Sequence, residues 1–235
     1  MMVPPPNAPV VMIHVDEPKR SSAGTAFSVD RHGVWITARH VTDGCDRIVL
    51  RTDAGRYLRV DRVVEQRNVD ISLLWSRGGP AELTVYDGDV RPGQPGYAFG
   101  FPQGRPGDAR GQAIGRWYLW STGRLEFVAP VVAWAQIERI PDRGPNLAGI
   151  SGGPWVDAEG RVVGVVIAGA PRRGRTYTTA PESLRAALAR TDGTVSPRAA
   201  FAVNPTNFAG IGDRLRSQRT VSQVLCVVNS SRVRR

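Results

Sequence analysis

A serine between glycines is the first feature of the chain that could do chemistry. It is Ser151, in the stretch PNLAGISGGPWVDAEGRVVGVVIAG that runs from Pro145 to Gly169. A serine hydroxyl becomes a useful nucleophile only when a base removes its proton, and that base is usually a histidine. The chain contains three histidines, His14, His32 and His40, and all of them precede Ser151. A catalytic serine at this position therefore needs a base from the first part of the chain.

The order of the residues separates two kinds of serine site. The segment Gly149–Gly153 formally matches the G-x-S-x-G elbow of the α/β-hydrolases, a fold that places its acid and its histidine after the serine. No histidine follows Ser151, so this interpretation fails. The order histidine, aspartate, serine remains, and it is the order found in chymotrypsin-type β-barrels.

Two residues fit the base and the acid of that order. His40 ends the segment WITARHV, where an apolar strand reaches a break, a position that a purely structural histidine could also occupy. Asp70 heads the apolar run of NVDISLLW, and a buried charge is costly unless it has a partner. His40 and Asp70 are therefore the candidate partners of Ser151.

The elements that must position these residues are predicted to be short strands separated by turns. The 235 residues are 41% hydrophobic and include 26 glycines and 18 prolines, which can fill a core but favour turns over long helices. Apolar runs of strand length recur at short intervals, which indicates an all-β sandwich or barrel. A helical pattern is predicted at Pro181–Arg190, and one more strand is predicted in the tail at Val221–Val228.

Several motifs in this order carry a family resemblance. The segments GTAFSV, GVWITARHV, VDISLL, GYAFGFP and GISGGPWVDAEGRVVGVV together resemble the trypsin-like serine proteases, and the bacterial HtrA/Deg type most of all. The resemblance covers about residues 22–190 and implies an all-β fold of two six-stranded antiparallel β-barrels packed together, with a short C-terminal helix and an extra tail. No PDZ-like domain is expected, because too few residues follow Arg190.

The resemblance also implies divisions along the chain. We expect an N-terminal extension with the first strand, a protease domain made of two barrels and a closing helix, and a linker that leads to a tail strand. The extension with the first strand is residues 1–20. The protease domain is residues 21–190, with its first barrel at about 10–78, its second barrel at about 83–180 and its helix at 181–190. The linker and the tail strand are residues 191–235.

A role for each candidate residue follows from the resemblance. Ser151 would attack the acyl carbon, while His40 would accept its proton and later pass it to the leaving amine. Asp70 would hold the imidazole in the correct tautomer. Backbone N–H groups of Gly149 and Ser151, with Ile150 between them, would line the oxyanion hole.

Substrate contacts are expected on the strand RVVGVVIAG. An extended peptide would pair with its end at Val166, Ile167 and Ala168. The residue at the base of the primary pocket in trypsin-like enzymes corresponds to Pro145, which is neutral, so a cationic side chain would lack a counter-ion there. We therefore expect cleavage after small or medium apolar residues such as Ala, Val or Leu.

The two cysteines, Cys45 and Cys226, could be linked or independent. We favour a disulfide, because it would pin the tail against the first barrel, and two unrelated thiols are the alternative. A disulfide would indicate a periplasmic or secreted protein, and free thiols would indicate the cytoplasm. The first twenty residues lack the basic-then-apolar layout of a secretory signal.

The net charge of +10 raises the possibility of nucleic-acid binding. No zinc spacing, recognition-helix pattern or aromatic RNA-binding signature accompanies it, so we favour solvated surface charge and expect no specific nucleic acid, no metal and no cofactor. No run of 18 apolar residues is present, so no membrane span is expected. Two function classes remain, a serine endopeptidase acting on polypeptides and a protease-fold binding module with an occluded or inactive cleft. The sequence leaves the oligomeric state open.

Overall fold

The computed structural model describes residues 3–15, 20–53, 56–142, 144, 147–189 and 201–229. In this part of the chain the fold is built mainly of strands, with three α-helices. The strands are β1 Val10–Val15, β2 Ser22–Ser28, β3 Val34–Thr37, β4 Arg47–Asp53, β5 Arg56–Arg59, β6 Arg62–Glu65, β7 Ser72–Trp75, β8 Pro95–Gly100, β9 Gly107–Gly123, β10 Phe127–Ile140, β11 Pro154–Val156, β12 Val162–Ala170, β13 Arg175–Thr179 and β14 Val221–Val227. The helices are α1 Arg39–Thr42, α2 Pro181–Leu188 and α3 Phe208–Ser217.

The first sheet contains the strands of the N-terminal half together with the last strand of the chain. Its order is β5-β4-β14-β2-β3-β7-β6, and its neighbouring strands are antiparallel. The β2–β3 hairpin turns at Asp30–Gly33, where Gly33 has a φ of 107° that favours glycine. The apolar side chains of β2, β3 and β7 are almost entirely buried, so these three strands form the floor beneath the candidate site.

The second sheet closes into a barrel. Strands β8 to β13 form a ring in the order β8-β9-β10-β13-β12-β11, in which β11 returns to β8. The all-β, two-barrel architecture expected from the sequence is confirmed. Strand β12 lies between β11 and β13, and its first six residues are buried, which explains why its sequence VVGVVI is continuously apolar.

The two ends of the described chain give each sheet a seventh strand where six were predicted. Strand β1, which the sequence assigned to the first barrel, instead pairs in parallel with the far half of β9 in the second sheet. Strand β14 inserts between β2 and β4 of the first sheet. The local pattern of each segment predicts a strand correctly, but it carries no information about which distant edge the strand will join.

The tail is an integral part of the fold. Cys226 on β14 forms a disulfide with Cys45, which confirms the predicted bridge. Helix α3 was not predicted, because its sequence FAGIGDRLRS contains two glycines that disfavour a helix by about 1 kcal/mol each. Tertiary packing outweighs that cost, since Phe208, Ile211 and Leu215 are buried in the core. The predicted helix at Pro181–Arg190 is observed as α2; Arg190 and the linker lie outside the described residues.

None of the helices in the described ranges is long and apolar enough to cross a membrane.

Candidate active site

The first part of the site is a histidine held by a buried carboxylate. Strand β3 ends at Thr37, and the short helix α1 then places His40 above the sheet. Asp70 lies just before β7 and is 1% exposed. Its Oδ2 lies 2.6 Å from His40 Nδ1, and its Oδ1 accepts a hydrogen bond of 2.8 Å from the His40 backbone N–H. Asp70 therefore fixes both the backbone and the ring of His40.

This contact also selects one form of the imidazole. A carboxylate can only accept hydrogen bonds, so Nδ1 of His40 carries the proton that is shared with Asp70. In the neutral ring Nε2 is then the acceptor. The His40 side chain is 26% exposed whereas that of Asp70 is 1% exposed, so the ring has access to solvent while its partner has none. This is the arrangement that a general base needs.

The second part of the site is the turn that presents Ser151. Gly149 and Gly152, on either side of the serine, have φ values of 98° and 87°, a region that residues with a Cβ rarely enter. The N–H of Ile150 donates to the Leu147 carbonyl at 3.0 Å, which closes the turn on its amino-terminal side. The glycines that surround Ser151 are thus required by the backbone of the turn.

The serine turn is packed directly against the strands that lead to His40. The Ser151 carbonyl accepts a hydrogen bond of 2.8 Å from the N–H of Thr25 on β2. A Cβ on Gly152 would lie 2.9 Å from the N of Ala38, two residues before His40. The fold therefore brings Ser151 and the His40–Asp70 pair to one region.

The backbone donors around the serine differ in their availability. In the described part of the chain, the N–H groups of Gly149 and Ser151 make no hydrogen bond, whereas that of Ile150 is used by Leu147. Ile150 is 2% exposed and packs among apolar residues of the second barrel. The N–H of Ile150 already has an acceptor inside the turn, so the donors expected at the oxyanion hole remain those of Gly149 and Ser151, with Ile150 between them.

A buried threonine connects this turn to the rest of the site. The Oγ1 atom of Thr25, which is 0% exposed, donates to the Gly149 carbonyl at 2.8 Å. The same oxygen accepts a hydrogen bond of 3.1 Å from the Phe101 N–H. Thr25 therefore holds the Gly149 peptide in one orientation. The sequence gives no sign of this role, although Thr25 lies in the motif GTAFSV.

Beside Ser151 is a cavity of about 220 Å³. Its wall includes Ser151 itself, and Val166 and Ala168 of β12. Ile167, predicted to belong to the same surface, is 3% exposed and points into the core, because successive side chains of a strand face opposite sides. Pro145 lies outside the described residues.

The polar residues of the cavity come from strands that the sequence does not connect with the site. Gln136 of β10 and Thr176 of β13 meet there, with Gln136 Nε2 donating to Thr176 Oγ1 at 3.0 Å. Arg175 also lines the cavity, and its guanidinium carbon lies 5.1 Å from the ring centroid of Trp117. No spacing in the sequence predicts these residues, because it is the closure of the second barrel that brings β10 and β13 beside the serine turn.

The end of β12 offers an unpaired edge next to the cavity. Strand β11 pairs with β12 from Val162 to Val165, and Gly152 and Gly153 then bond to Val166. From there to Ala170, β12 pairs only with β13 among the described residues. An extended peptide could therefore continue the line of β11 along this edge.

The fold has two β-barrels. One carries a histidine–carboxylate pair and the other carries a serine turn, and this combination is typical of the β-barrel peptidases. The family model for the trypsin-like peptidase domain matches residues 24–165, more than half of the chain. The chain belongs to the trypsin-like peptidase family.

The chain is also similar to individual proteins. A relative described as an uncharacterized protein, y4bJ of Sinorhizobium fredii, is 30% identical over 146 residues, which is 62% of this chain but only 22% of the relative. Among solved structures, the active form of the Rv3671c protease from M. tuberculosis has a TM-score of 0.60 at 17% identity, over 86% of this chain and 97% of that one.

Two further structures have the same fold. The HtrA-type protease AlgW, solved with a decapeptide, has a TM-score of 0.55 at 20% identity and covers 71% of this chain and 50% of its own. The MamO protease domain from Magnetospirillum magneticum has a TM-score of 0.53 at 20% identity and covers 72% of this chain and 94% of its own. At these identities the structures show the fold, and the family match supports a protease.

Proposed function

We propose that this protein is a serine endopeptidase in which Ser151, His40 and Asp70 form the catalytic triad. The observation that carries the proposal is the double contact of Asp70 with His40, at 2.6 Å to the ring and 2.8 Å to the backbone, beside the serine turn. Nε2 of His40 takes the proton of Ser151 as the hydroxyl attacks the substrate carbonyl, and returns it to the leaving amine. In the second step water attacks the acyl-enzyme. Nε2 of His40 takes a proton from this water and then gives a proton to the departing Ser151 Oγ.

The oxyanion that forms in each step needs preorganised donors. The N–H groups of Gly149 and Ser151 are available, since neither bonds elsewhere in the described chain. They would stabilise the negative charge on the tetrahedral intermediate. The loss of one such donor typically lowers the rate roughly 100- to 1000-fold.

We further propose that the cavity beside Ser151 takes small or medium apolar side chains. Val166, Ala168 and Leu147 supply apolar wall, and the Gln136–Thr176 pair adds polarity without charge. Asp142, the nearest acid before the serine, is 73% exposed and is not part of the lining. A substrate lysine or arginine would therefore be desolvated without a counter-ion, and beside the like charge of Arg175. Peptide-library profiling tests this, and dominant cleavage after Lys or Arg would contradict it.

A fluorophosphonate probe tests the triad directly, because it labels only an activated serine. The wild-type protein should be labelled, and the Ser151→Ala variant should not. Asp70→Asn should lower kcat roughly 10⁴-fold, since the imidazole would no longer be held in the correct tautomer. Ser217→Ala, which removes an exposed hydroxyl from α3, is the matched control and should behave as wild type.

The alternative is a protease-fold binding module whose cleft is occluded or inactive. It predicts a folded protein that the probe does not label and that cleaves no peptide. Circular dichroism on the same sample distinguishes this outcome from simple misfolding.

The Cys45–Cys226 disulfide supports an oxidising compartment, so we propose a periplasmic or secreted location.

A further inference from the structure

A second groove adjoins the cavity beside Ser151. It has a volume of about 730 Å³ and is lined by β1, the end of β12 and the 3-10 turn Pro171–Arg173 that follows β12. Pro171 lines both the cavity and the groove. Arg175 also connects them, since it lines the cavity while its guanidinium covers Trp117, a wall of the groove. The two therefore form one continuous surface.

The direction of a bound peptide places its upstream residues in this groove. Strand β11 runs antiparallel to β12 and begins opposite Val165, beside the serine turn. A peptide on the open edge of β12 that keeps this direction ends at Ser151 and begins toward Ala170. At about 3.3 Å per residue, its roughly fourth to sixth residues upstream of the scissile bond reach Pro171 and the turn beyond it.

The groove combines an apolar wall with unpaired positive charge. Met12 is 69% exposed, and with Trp117 and Val11 it supplies apolar surface. Arg172 and Arg173 are exposed and make no ion pair with any described residue. No acidic residue belongs to the described lining. The charge of the groove is thus complementary to carboxylates that a ligand would bring.

We propose that this groove selects polypeptide substrates with acidic residues, interspersed with apolar ones, about four to six positions upstream of the scissile bond. The inference rests on the proposed protease function, and it adds the class of substrate. Arg172 and Arg173 would pair with the acidic side chains, while the apolar ones would pack on Met12 and Trp117.

Paired peptide substrates test the proposal. Peptides that share the residues nearest the scissile bond should differ only at the fourth to sixth upstream positions, which carry Glu, Ser or Lys. We expect kcat/KM to decrease in the order Glu, Ser, Lys, with roughly 10-fold between the extremes at low salt and less at high salt. The Arg172→Glu/Arg173→Glu variant should invert this order.

The matched control is Arg47→Glu/Arg56→Glu, on exposed positions of β4 and β5 in the first sheet. It changes the net charge by the same amount and should keep the wild-type order. If both double variants shift the order alike, the effect comes from total charge and the proposed groove is wrong. Equal cleavage of all three peptides by the wild-type protein would also overturn it.

A binding measurement separates this inference from the proposed activity. Fluorescence anisotropy with the Ser151→Ala protein measures the affinity for the same peptides without cleavage. Tighter binding of the Glu peptide, lost in Arg172→Glu/Arg173→Glu, supports the groove even if no peptide is cleaved. Cleavage of a short peptide that stops before the groove reports the proposed function alone, and equal affinities for all three long peptides would refute the groove.

Discussion

Thr25 connects the two halves of the site through one hydroxyl group. It donates to the Gly149 carbonyl and accepts from the Phe101 N–H, and its own backbone N–H bonds to the Ser151 carbonyl. The side chain does not belong to the proposed triad, and it acts through the Gly149 peptide. It is therefore a positioning residue for the oxyanion donors.

We predict that Thr25→Val lowers kcat by roughly 10-fold and leaves KM nearly unchanged. Valine keeps the shape but loses the bond that orients Gly149, so the oxyanion donor is misplaced rather than removed, and the loss stays below the full cost of a missing donor. Steady-state kinetics give kcat and KM separately.

The control for Thr25 is a buried threonine elsewhere. Thr178 is also 0% exposed, and its Oγ1 accepts from Trp134 Nε1 at 3.0 Å in the second barrel. Thr178→Val should cost about 1–3 kcal/mol of stability, as Thr25→Val should, because each leaves a buried group unpaired. If the two variants have the same kcat, Thr25 has only a structural role.

At the scale of elements, an ion pair attaches α3 to the second barrel. Arg216 on α3 bonds to both carboxylate oxygens of Asp108 on β9, at 2.6 and 2.9 Å, and the two side chains are 9% and 3% exposed. Burial raises the pKa of Asp108 to about 6, although the hydrogen bonds and charge of Arg216 act in the opposite direction. The folded protein therefore binds the Asp108 proton more tightly than the unfolded chain does.

This raised pKa predicts a pH dependence of stability. The stabilisation from protonated Asp108 is complete below pH ~4 and is lost as the pH rises toward 6, because over that range the unfolded chain releases the proton first. Over this range wild type should lose up to about 3 kcal/mol of unfolding free energy relative to Asp108→Asn, since one pKa unit corresponds to about 1.4 kcal/mol.

Denaturant unfolding at several pH values measures this difference. Asp213 contacts the same Arg216 at 2.8 Å but is 77% exposed, and its charge is the smallest of the contributions to the shifted pKa of Asp108. Asp213→Asn is therefore the matched control and should reduce the pH dependence only slightly. If the free energy of unfolding changes equally with pH in the wild type and in Asp108→Asn, the raised pKa of Asp108 is contradicted.

Strand β14 is an interior strand of the first sheet, although it comes last in the described chain. It pairs with β2 on one side and β4 on the other. A chain that ends at Ala189 would lack it and would leave two strand edges without partners, which favours aggregation.

We predict that a protein shortened to Ala189 is insoluble or shows no cooperative unfolding. A protein that ends at Asn229, after β14, is the control and should unfold as the full chain does. Soluble yield and thermal melts followed by circular dichroism measure both. If the shorter protein unfolds cooperatively with a midpoint temperature near that of the wild type, β14 is not needed for the first sheet to form.

At the scale of the whole molecule, the tail spans both sheets. Strand β14 completes the first sheet, α3 packs on β8 and β9 of the second, and the disulfide ties β14 to Cys45, just after the helix that carries His40. The bridge closes a loop of 181 residues, so it restrains the unfolded chain strongly.

We predict that the unfolded, unreduced protein has no titratable thiol, and that reduction lowers the free energy of unfolding by up to about 5 kcal/mol. Denaturant unfolding with and without reductant measures the loss. The Cys45→Ala/Cys226→Ala variant is the control and should be insensitive to reductant. Two free thiols before reduction would refute the bridge.

The strand-rich fold and the candidate reactive residues follow from local features of the sequence. All three histidines precede the serine, which leaves few possible orders of catalytic residues, and a buried aspartate needs a partner. The sequence therefore indicates His40 and Asp70, and the structure places them in contact. The roles of these residues with Ser151 remain a proposal. The apolar run of β12 and the bridge between the two cysteines were also predictable, because they depend on composition and on residue types that have few alternatives.

The contacts between distant segments, in contrast, are not evident from the sequence and are seen in the fold. Several contacts join residues that are far apart in the chain. Strand β1 pairs in parallel with β9, β14 lies between β2 and β4, and Gln136 and Thr176 lie beside Ser151. A local pattern specifies that a segment is a strand and which face is buried. Its neighbour is chosen by the closure of the sheet and by the burial of every apolar face at once, and these depend on the whole chain.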